Sequence, residues 1–330
     1  MVVDGHAYCV HLVERISEAE LGPLLRSPFA HEELAERGPF VVIDTPSIVP
    51  DAAAVSTLET VPVVLAGPTP SPLVDVVADG DGLDALESAV ERRPLASVAL
   101  VLLLRGHERR SIGEGLIAES AVYSVLQAGP EFAAWRREHA PRERRTADDP
   151  AVLLRREGNE LKVTLNRPGV HNAFSVAMRD QLIEALGVAE AVPSLRVVLE
   201  GAGPSFCSGG DLEEMGSRPD PATAHVVRLR RSVGRILAAM ADRVEARLHG
   251  ACMGAGIELP AFVDRVVARS DSTIGLPEID LGLIPGAGGT VSITRRAGRH
   301  RAALLALSGR PIDAETALTW GLVDEVYALR

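Results

Sequence analysis

Two glutamates in the second half of the sequence are suited to acid–base chemistry. Glu258 follows the small-residue run 250–256, and Glu278 lies between apolar residues in the segment 274–279. An unpaired carboxylate among apolar side chains is costly, so either a cation neutralises it or its pKa rises. Two carboxyl groups with different pKa values can share a proton transfer. The purely structural alternatives are a helix-dipole position for Glu258 and a salt bridge to an arginine for Glu278.

Two loops rich in small residues lie close to these acids in the sequence. The first, residues 205–212, holds paired glycines that let a backbone approach a ligand closely. The second, residues 249–259, leads from a strand into a helix whose first amides are free to hold an oxyanion. A turn followed by Asp211 as a helix N-cap would also explain the first loop. The glycine run 286–289 lacks the spacing of a dinucleotide loop, so NAD is excluded.

The segments around these motifs alternate between strand and helix patterns. Short apolar or alternating runs predict strands, and apolar residues every three to four positions predict helices. The predicted strands are 160–166, 195–199, 244–248 and 265–268, and the predicted helices are 176–188 and 220–243, the latter with Val226, Val227, Val233, Ile236, Leu237 and Met240 inward. This order indicates an α/β architecture.

The first 145 residues form a second region with its own α/β pattern. Strands are predicted at 39–44, 61–66 and 98–105, and helices at 82–92 and 115–127. The element order over 83–113 matches that over 178–209, which suggests a degenerate internal repeat, although chance similarity explains it equally well. The charged stretch 136–149 is predicted to link residues 1–145 to a core of residues 146–330.

Composition excludes several classes of protein. The formal net charge is −11 and the pI is near 5.4, which argues against a nucleic-acid binder. Lys162 is the single lysine, so an anionic ligand meets arginine or backbone N–H. The longest apolar run, 98–104, is too short for a membrane span, and the N-terminus does not resemble a signal peptide. The three cysteines match no zinc or redox pattern. We therefore expect a cytoplasmic protein without a metal site.

The order and spacing of the three motif segments resemble the enoyl-CoA hydratase/isomerase family, the crotonase superfamily, over roughly residues 152–326. SGGDL is similar to the family's first oxyanion-hole segment, which implies the Gly210 backbone N–H as one donor. GAGIEL is similar to the second, which implies the Ala255 N–H and, as a catalytic carboxylate, Glu258. LPEIDLGLIPGAGGT is similar to the segment with the second carboxylate, which implies Glu278, 20 residues after the first.

The resemblance also implies a fold and a ligand. The fold would be a crotonase-like ββα superhelix with an additional N-terminal α/β region. The ligand would be a coenzyme A thioester acting as substrate, with no separate cofactor, and the chain would form a homo-oligomer, a trimer or hexamer. The opening loop LNRPGVHNAF, 165–174, is similar to the loop that lines the CoA adenine site. The implied CoA or substrate contacts are Arg167, His171, Ala173, Ser208, Asp211, Leu212, Gly254 and Pro277.

The predicted reaction is the addition of water to a 2-enoyl-CoA, which gives a 3-hydroxyacyl-CoA. Two amides would stabilise charge on the thioester oxygen while Glu258 and Glu278 share the acid and base roles. Isomerase, acyl-CoA hydrolase and cofactor-independent dioxygenase chemistry of the same superfamily are the alternatives, as is a non-catalytic acyl-CoA-binding module. The N-terminal extension is similar to that of the dioxygenase branch, whereas retention of both acids favours hydration.

Several positions depart from the family pattern. The family usually continues for several tens of residues past the segment like 321–324, and we expect the N-terminal region to cover the acyl site instead. Gly169 stands where many relatives carry a lysine for the CoA phosphate, a role that Arg167 or a neighbouring subunit's arginine would take. His171 is expected to be a surface histidine, with a pantetheine or phosphate contact as the alternative. Glu245 and Arg247 give the strand 244–248 a polar face, for which the N-terminal region is one candidate partner.

Overall fold

The first part of the chain forms a parallel four-stranded sheet. The computed structural model describes residues 14–44, 51–142, 149–217 and 220–328. The strands lie side by side in chain order as β1 (Arg15–Ser17), β2 (Phe40–Asp44), β3 (Val64–Gly67) and β4 (Val76–Val77). The predicted strands 39–44 and 61–66 correspond to β2 and β3, which are apolar and buried apart from Asp44 at the end of β2, because both faces of the sheet are covered.

Seven helices accompany this sheet in the described part of the N-terminal region. They are α1 (Glu18–Arg26), α2 (Ala30–Ala35), α3 (Ala52–Leu58), α4 (Asp81–Arg92), α5 (Pro94–Arg105), α6 (Ile112–Gln127) and α7 (Pro130–Glu138). The predicted helices 82–92 and 115–127 are confirmed as α4 and α6. The charged stretch 136–149 begins inside α7, and its residues 143–148 lie outside the described residues.

The strand predicted at 98–105 is wrong, because these residues form the last two thirds of α5. Pro94 occupies the first turn of this helix, where its missing N–H costs nothing. The run is rich in leucine, a good helix former, and an apolar run that is buried nearly all round does not distinguish a strand from a helix. The segment 83–113 therefore contains two helices rather than a helix and a strand, and the suggested repeat of 178–209 fails at this element.

The rest of the chain builds the core around a six-stranded sheet. The strands are β5 (Val152–Glu157), β6 (Glu160–Leu165), β7 (Arg196–Gly201), β8 (Val244–Leu248), β9 (Ala251–Met253), β10 (Arg265–Arg269), β11 (Thr273–Gly275), β12 (Ile312–Asp313) and β13 (Glu325–Tyr327). The large sheet has the order β13-β10-β8-β7-β6-β5 and is parallel except for the β5–β6 hairpin, and the small one has the order β12-β11-β9. All four strands predicted for this region are confirmed.

The core helices are α8 (Val176–Glu190), α9 (Pro221–Arg230), α10 (Val233–Ala239), α11 (Ala255–Glu258), α12 (Gly289–Ala297), α13 (Arg299–Ser308) and α14 (Ala314–Thr319). The helix predicted at 176–188 is confirmed as α8, where the Ser175 side chain caps the N-terminus by accepting from the Met178 N–H. No helix in the described ranges is long and apolar enough to cross a membrane.

The single helix predicted over 220–243 is wrong, because the chain breaks between α9 and α10. Ser232 acts as the N-cap of α10, and its hydroxyl accepts from the Arg235 N–H at 3.2 Å. Val226, which was expected to face inward, is 51% exposed, whereas Val233 and Leu237 after the break are buried. The break changes the direction of the apolar face, which a continuous helical period does not reveal.

The N-terminal region packs directly against the core. In β2, Phe40 and Val42 join the hydrophobic cluster that contains the core strands, and the alternate residues Val41 and Ile43 join a second cluster on the other face of the sheet. One continuous apolar cluster therefore includes residues from both sides of the predicted boundary at 145–146.

The polar face of β8 is neutralised within its own sheet. Glu245 accepts from Arg247 at 2.6 Å and from Arg265, on the adjacent strand β10, at 2.9 Å. Arg265 also pairs with Glu325 on β13 at 2.6 Å. The partner of this face is thus the neighbouring strand, and the suggested pairing with the N-terminal region is wrong.

Candidate active site

The two predicted oxyanion loops lie side by side. The Cys207 N–H donates to the Ala251 carbonyl at 3.1 Å, and the Cys207 carbonyl accepts from the Met253 N–H at 2.9 Å. This is the pattern of adjacent parallel strands. Because the two segments run in the same direction, Gly210 and Ala255 follow them at the same end.

Glycines allow this close approach. Gly209 and Gly254 have φ values of +100° and +49°, which favour glycine, and a Cβ built on Gly254 would lie 3.5 Å from the Gly209 Cα. Ala255 is the first residue of α11, so its N–H has no acceptor within the helix. No described residue accepts the N–H of Gly210 or of Ala255. Both amides are therefore available to a ligand oxygen.

Glu258 lies at the end of α11 and is 2% exposed. Its Oε2 accepts from the N–H of Ala287 at 2.7 Å and from the N–H of Gly289 at 2.8 Å. Burial raises the pKa of Glu258 from its ordinary value of 4.5 to about 7, although the two hydrogen bonds act in the opposite direction. A group with this pKa changes its protonation state near neutral pH.

Glu278 follows β11 and is 7% exposed. Among the described residues its Oε2 has no hydrogen-bond partner, and it forms no salt bridge, so the arginine pairing considered from the sequence is wrong. A Cβ built on Gly254 would lie 2.3 Å from its Oε1, which places this carboxyl group beside the second oxyanion loop. Burial, followed by the charge of Glu258, raises the pKa of Glu278 well above its ordinary value.

A third buried acid, Glu119 of α6, comes from the N-terminal region and is 2% exposed. Its Oε1 accepts from the Gly288 N–H at 2.8 Å, and its Oε2 accepts from the N–H and the hydroxyl of Thr290 at 2.9 and 2.7 Å. Burial and the charge of Glu258 raise the pKa of Glu119 to about 8. The sequence analysis missed this residue, although its helical spacing from Leu116 and Tyr123 places it on the apolar face of α6.

The three acids surround a cavity of about 240 Å³ whose wall comes from both regions. From the core, the cavity is lined by both catalytic candidates, both oxyanion residues and Asp211; α6 contributes Leu116, Glu119, Ser120, Tyr123 and Gln127. α9 adds a further wall that includes Val227 and Arg228. The N-terminal region thus encloses the site, as expected.

Other predicted contact residues hold the loops together outside the cavity lining. The Arg167 guanidinium donates to Asp211 Oδ2 at 2.9 Å and to the Ala173 carbonyl at 2.5 Å, which ties the opening loop to the first oxyanion loop. The exposed His171 has a ring nitrogen 2.9 Å from the Ser205 hydroxyl, and its carbonyl accepts from the Ser208 N–H at 2.9 Å.

The remaining predicted contacts occupy different surroundings. Leu212 is 44% exposed, and its carbonyl accepts from Arg136 of α7 at 3.0 Å. Gly254 and Pro277 precede Ala255 and Glu278 in the sequence and set their positions. The residues brought together around the cavity are therefore the acids and the oxyanion amides, rather than the whole predicted set.

Neither cysteine of the oxyanion loops is set up as a nucleophile. Burial raises the pKa of the Cys207 thiol to about 12, and burial also raises the pKa of Cys252. The described residues contain no group of three or more histidine, cysteine or acidic side chains placed to hold a metal ion. The groups with titratable or free polar atoms that line the cavity include its carboxyl groups and the amides of Gly210 and Ala255.

Comparison with known proteins identifies the family of this chain. The family model described as enoyl-CoA hydratase/isomerase matches residues 155–330. The chain belongs to the enoyl-CoA hydratase/isomerase family. A relative named 2,3-dehydroadipyl-CoA hydratase, from Escherichia coli K12, is 37% identical over 177 residues, which cover 53% of this chain and 69% of that protein. The E. coli protein named 1,2-epoxyphenylacetyl-CoA isomerase is 36% identical over 181 residues and has the same two coverages.

Solved structures of the family share the fold of the core. The enoyl-CoA hydratase from Thermoplasma volcanium GSS1 matches with a TM-score of 0.51 and 36% identity, over 54% of this chain and 72% of that chain. The enoyl-CoA hydratase from Mycobacterium smegmatis matches with a TM-score of 0.51 and 34% identity, over 55% of this chain and 71% of that chain. The predicted family and the crotonase-like α/β fold are thus confirmed.

Proposed function

We propose that this member of the family hydrates a 2-enoyl-CoA thioester to a 3-hydroxyacyl-CoA. The observation that carries the proposal is the shared cavity, in which Glu258 and Glu278 lie beside two unoccupied backbone amides, those of Gly210 and Ala255. No described side chain in this cavity is an activated cysteine, and acid–base catalysis by two carboxyl groups is the chemistry that the remaining groups support best.

The two amides polarise the substrate. The thioester oxygen accepts from the Gly210 and Ala255 N–H groups, so negative charge that develops during addition is stabilised where it forms. Removal of one such donor typically costs about 3 to 4 kcal/mol of transition-state stabilisation. The third carbon of the enoyl group becomes electrophilic as a result.

The directions of the two pKa shifts support one division of roles between the acids. Glu258, with a pKa of about 7, is partly ionised at neutral pH. It takes a proton from a water molecule while the oxygen of that water attacks the third carbon. Burial favours the neutral form of Glu278, and in this form Glu278 gives its proton to the second carbon. One hydrogen and one hydroxyl group add across the double bond, and proton exchange with solvent restores both acids.

Coenzyme A would lie along the opening loop, residues 165–174, outside the acyl cavity. The Arg167 guanidinium is engaged with Asp211 at 2.9 Å but is 21% exposed, so its free edge can still meet a phosphate. His171 lies next to this loop's turn and is exposed. These two side chains are our candidates for the contacts that a lysine makes in many relatives.

The test is to measure hydration of crotonyl-CoA, followed by loss of enoyl absorbance, in the wild type, Glu258→Gln and Glu278→Gln. Each substitution should lower kcat/KM by at least about a hundredfold, the usual scale for the loss of a general acid or base. Glu184→Gln, on an exposed position of α8, is the matched control and should be unaffected. Wild-type turnover that survives both substitutions, or acyl-CoA binding without any turnover, would refute the proposal.

Double-bond migration is the second candidate, since the family model that matches this chain is described as enoyl-CoA hydratase/isomerase. The same pair of acids can move a proton between carbons without adding water. Reaction in heavy-oxygen water separates the two functions, because hydration puts solvent oxygen on the product and isomerisation does not.

A further inference from the structure

The cavity wall formed by α6 and α9 is unexpectedly polar for an acyl site. Ser120, Tyr123 and Gln127 lie on one face of α6, at helical spacing, and all line the cavity. Opposite them in the helix pair, α9 contributes Arg228. An acyl chain made only of hydrocarbon would gain nothing from these groups.

Arg228 is half-buried and is held by neutral partners. Its Nε donates to the Ser120 hydroxyl at 3.1 Å, and its Nη2 donates to the Ser120 carbonyl at 3.3 Å and to the Ser124 hydroxyl. The guanidinium carbon lies 4.7 Å from the centre of the Tyr123 ring. No described residue accepts from Nη1, and no described carboxylate lies within salt-bridge distance of this guanidinium.

The other cavity arginines are compensated. Arg179 and Arg231 both pair with Asp180, at 2.8 and 3.1 Å. A partly buried charge without a salt-bridge partner is costly. Burial lowers the pKa of Arg228, although the charges of Tyr123 and Glu119 act in the opposite direction. Among the arginines that line this cavity, Arg228 therefore has unused capacity to bind an anion.

A second group in the same wall has unused polar capacity. Gln127 Oε1 is buried and has no hydrogen-bond partner among the described residues. The Tyr123 hydroxyl also forms no hydrogen bond with a described residue. The Tyr123 ring packs against Gly286, where an added Cβ would lie 2.5 Å from two ring carbons. A guanidinium and a phenol in one wall are donors of the kind that a bound carboxylate requires, whereas Gln127 Oε1 can only accept a hydrogen bond.

The size of the cavity indicates which part of a thioester reaches this wall. A volume of about 240 Å³ is below the roughly 300 to 1,000 Å³ of sites for drug-sized ligands, so it suits an acyl group and not the much larger CoA moiety. The raised pKa values of Glu119 and Glu278 favour the neutral forms of these acids, which limits their repulsion of an anion.

We propose that Arg228, supported by Tyr123, binds a carboxylate at the far end of the acyl group, so that the preferred substrates are 2-enoyl-CoA thioesters that end in a carboxylate. This inference rests on the proposed function, because it assumes that the cavity receives the acyl chain. It assigns a class of substrate to the cavity wall that α6 and α9 form together.

The test compares binding of two saturated six-carbon acyl-CoA thioesters, one ending in a methyl group and one in a carboxylate, by calorimetry. Neither can be hydrated, so binding is measured without turnover. The wild type should bind the carboxylate form at least tenfold more tightly, as expected for a charge-assisted hydrogen bond. Arg228→Met should remove this preference and leave the methyl form within about threefold. Arg230→Met, an exposed position on the same helix, is the control.

Each other outcome is decisive. An equal loss of affinity for both ligands in Arg228→Met would mean that Arg228 contacts the CoA phosphates. Equal affinities of the wild type for the two ligands would mean that the arginine is purely structural. Either outcome refutes this inference and leaves the proposed function untouched. If the variant does not fold, the wild-type preference decides. Failure of both ligands to bind refutes the proposed function as well. A preference in a protein that hydrates no enoyl-CoA supports the carboxylate contact of Arg228 and refutes hydration.

Discussion

Glu119 and Glu258 divide four consecutive backbone amides between them. Glu258 accepts from residues 287 and 289, and Glu119 accepts from residues 288 and 290. These N–H groups precede and open α12, where a helix leaves its first donors without internal acceptors. A helix of the N-terminal region thus fixes the same segment that holds the proposed catalytic base.

Replacement of Glu119 by glutamine should change how stability depends on pH. The folded-state pKa of Glu119, about 8, lies above the ordinary value of 4.5. The contribution of Glu119 to the free energy of unfolding is therefore fully present below pH 4.5 and is lost as pH rises through 8. Between these two pH values, this group alone should lower the free energy of unfolding of the wild type by up to about 1.4 kcal/mol per pH unit. Urea unfolding from pH 5 to 8 should show a shallower decline for Glu119→Gln than for the wild type.

The matched control for this experiment is Glu184→Gln, which replaces an exposed carboxyl group on α8. Its pH dependence should follow the wild type. Parallel curves for the wild type and Glu119→Gln would show that Glu119 is ionised throughout the range, contrary to the burial argument. Glu119→Ala should be less stable than Glu119→Gln, because it leaves the donors of residues 288 and 290 without acceptors.

The hydration rate should fall on the acid side of about pH 7. Only ionised Glu258 can take a proton from water, and its pKa in the free protein is about 7. A profile of kcat/KM for crotonyl-CoA from pH 5 to 9 should lose about tenfold per pH unit well below this value. An acid limb near pH 4.5 would contradict the assignment, and a limb near pH 8 that disappears in Glu119→Gln would transfer the role to Glu119.

The local motifs made the core of this site predictable from sequence. Glu258 and Glu278 each follow a short strand and lie within a few residues of the glycines that shape the loops, so their surroundings are encoded nearby. Strand β8 was predicted with its observed bounds because alternation and flanking residues agree. Periodicity failed at α5, where burial hides the period, and at Ser232, where a side-chain cap starts a new helix.

Glu119 shows what sequence reasoning could not supply. Its hydrogen-bond partners, Gly288 and Thr290, lie 169 and 171 positions later in the chain. The only local signal is an acidic residue on the apolar face of α6, which marks a buried carboxyl group without naming its partners. The sequence therefore does not predict how the N-terminal region packs on the core, and only the structure shows which residues Glu119 contacts.

Substitution of Gly254 by alanine should disable the site. Its φ of +49° disfavours a side chain, and the new Cβ would lie 2.3 Å from Oε1 of Glu278, so the carboxyl group must move. A displacement of about 1 Å in a reacting group can cost about a hundredfold in rate. We expect kcat for crotonyl-CoA hydration to fall on that scale.

The control for this substitution is Gly187→Ala, in the interior of α8, where an added Cβ meets nothing within 4 Å. It should leave kcat unchanged and stabilise the protein by about 0.5 to 1 kcal/mol. Wild-type kcat in Gly254→Ala would show that the Glu278 carboxyl group does not need its observed position.

A buried ion pair should dominate the stability of the N-terminal region. Arg105 of α5 contacts Asp75 at 2.6 Å, with both side chains 2% exposed, and Arg299 of α13 approaches the same carboxylate at 3.5 Å. Arg105 also donates to three backbone carbonyls, those of Leu58, Val61 and Val63, each at 2.6 Å. Loss of the guanidinium would leave these acceptors and much of the Asp75 charge buried without their main partner.

Arg105→Met should therefore lower the free energy of unfolding by about 3 to 5 kcal/mol, the range for breaking a buried pair. Arg15→Met is the matched control, because its pair with Asp44 has side chains 52% and 47% exposed, and it should cost at most about 1 kcal/mol. Urea unfolding measures both. Since Arg105 lies outside the cavity lining, the folded fraction of Arg105→Met should keep its hydration rate. If both variants lose the same free energy of unfolding, burial does not strengthen the contribution of the Arg105–Asp75 pair to stability.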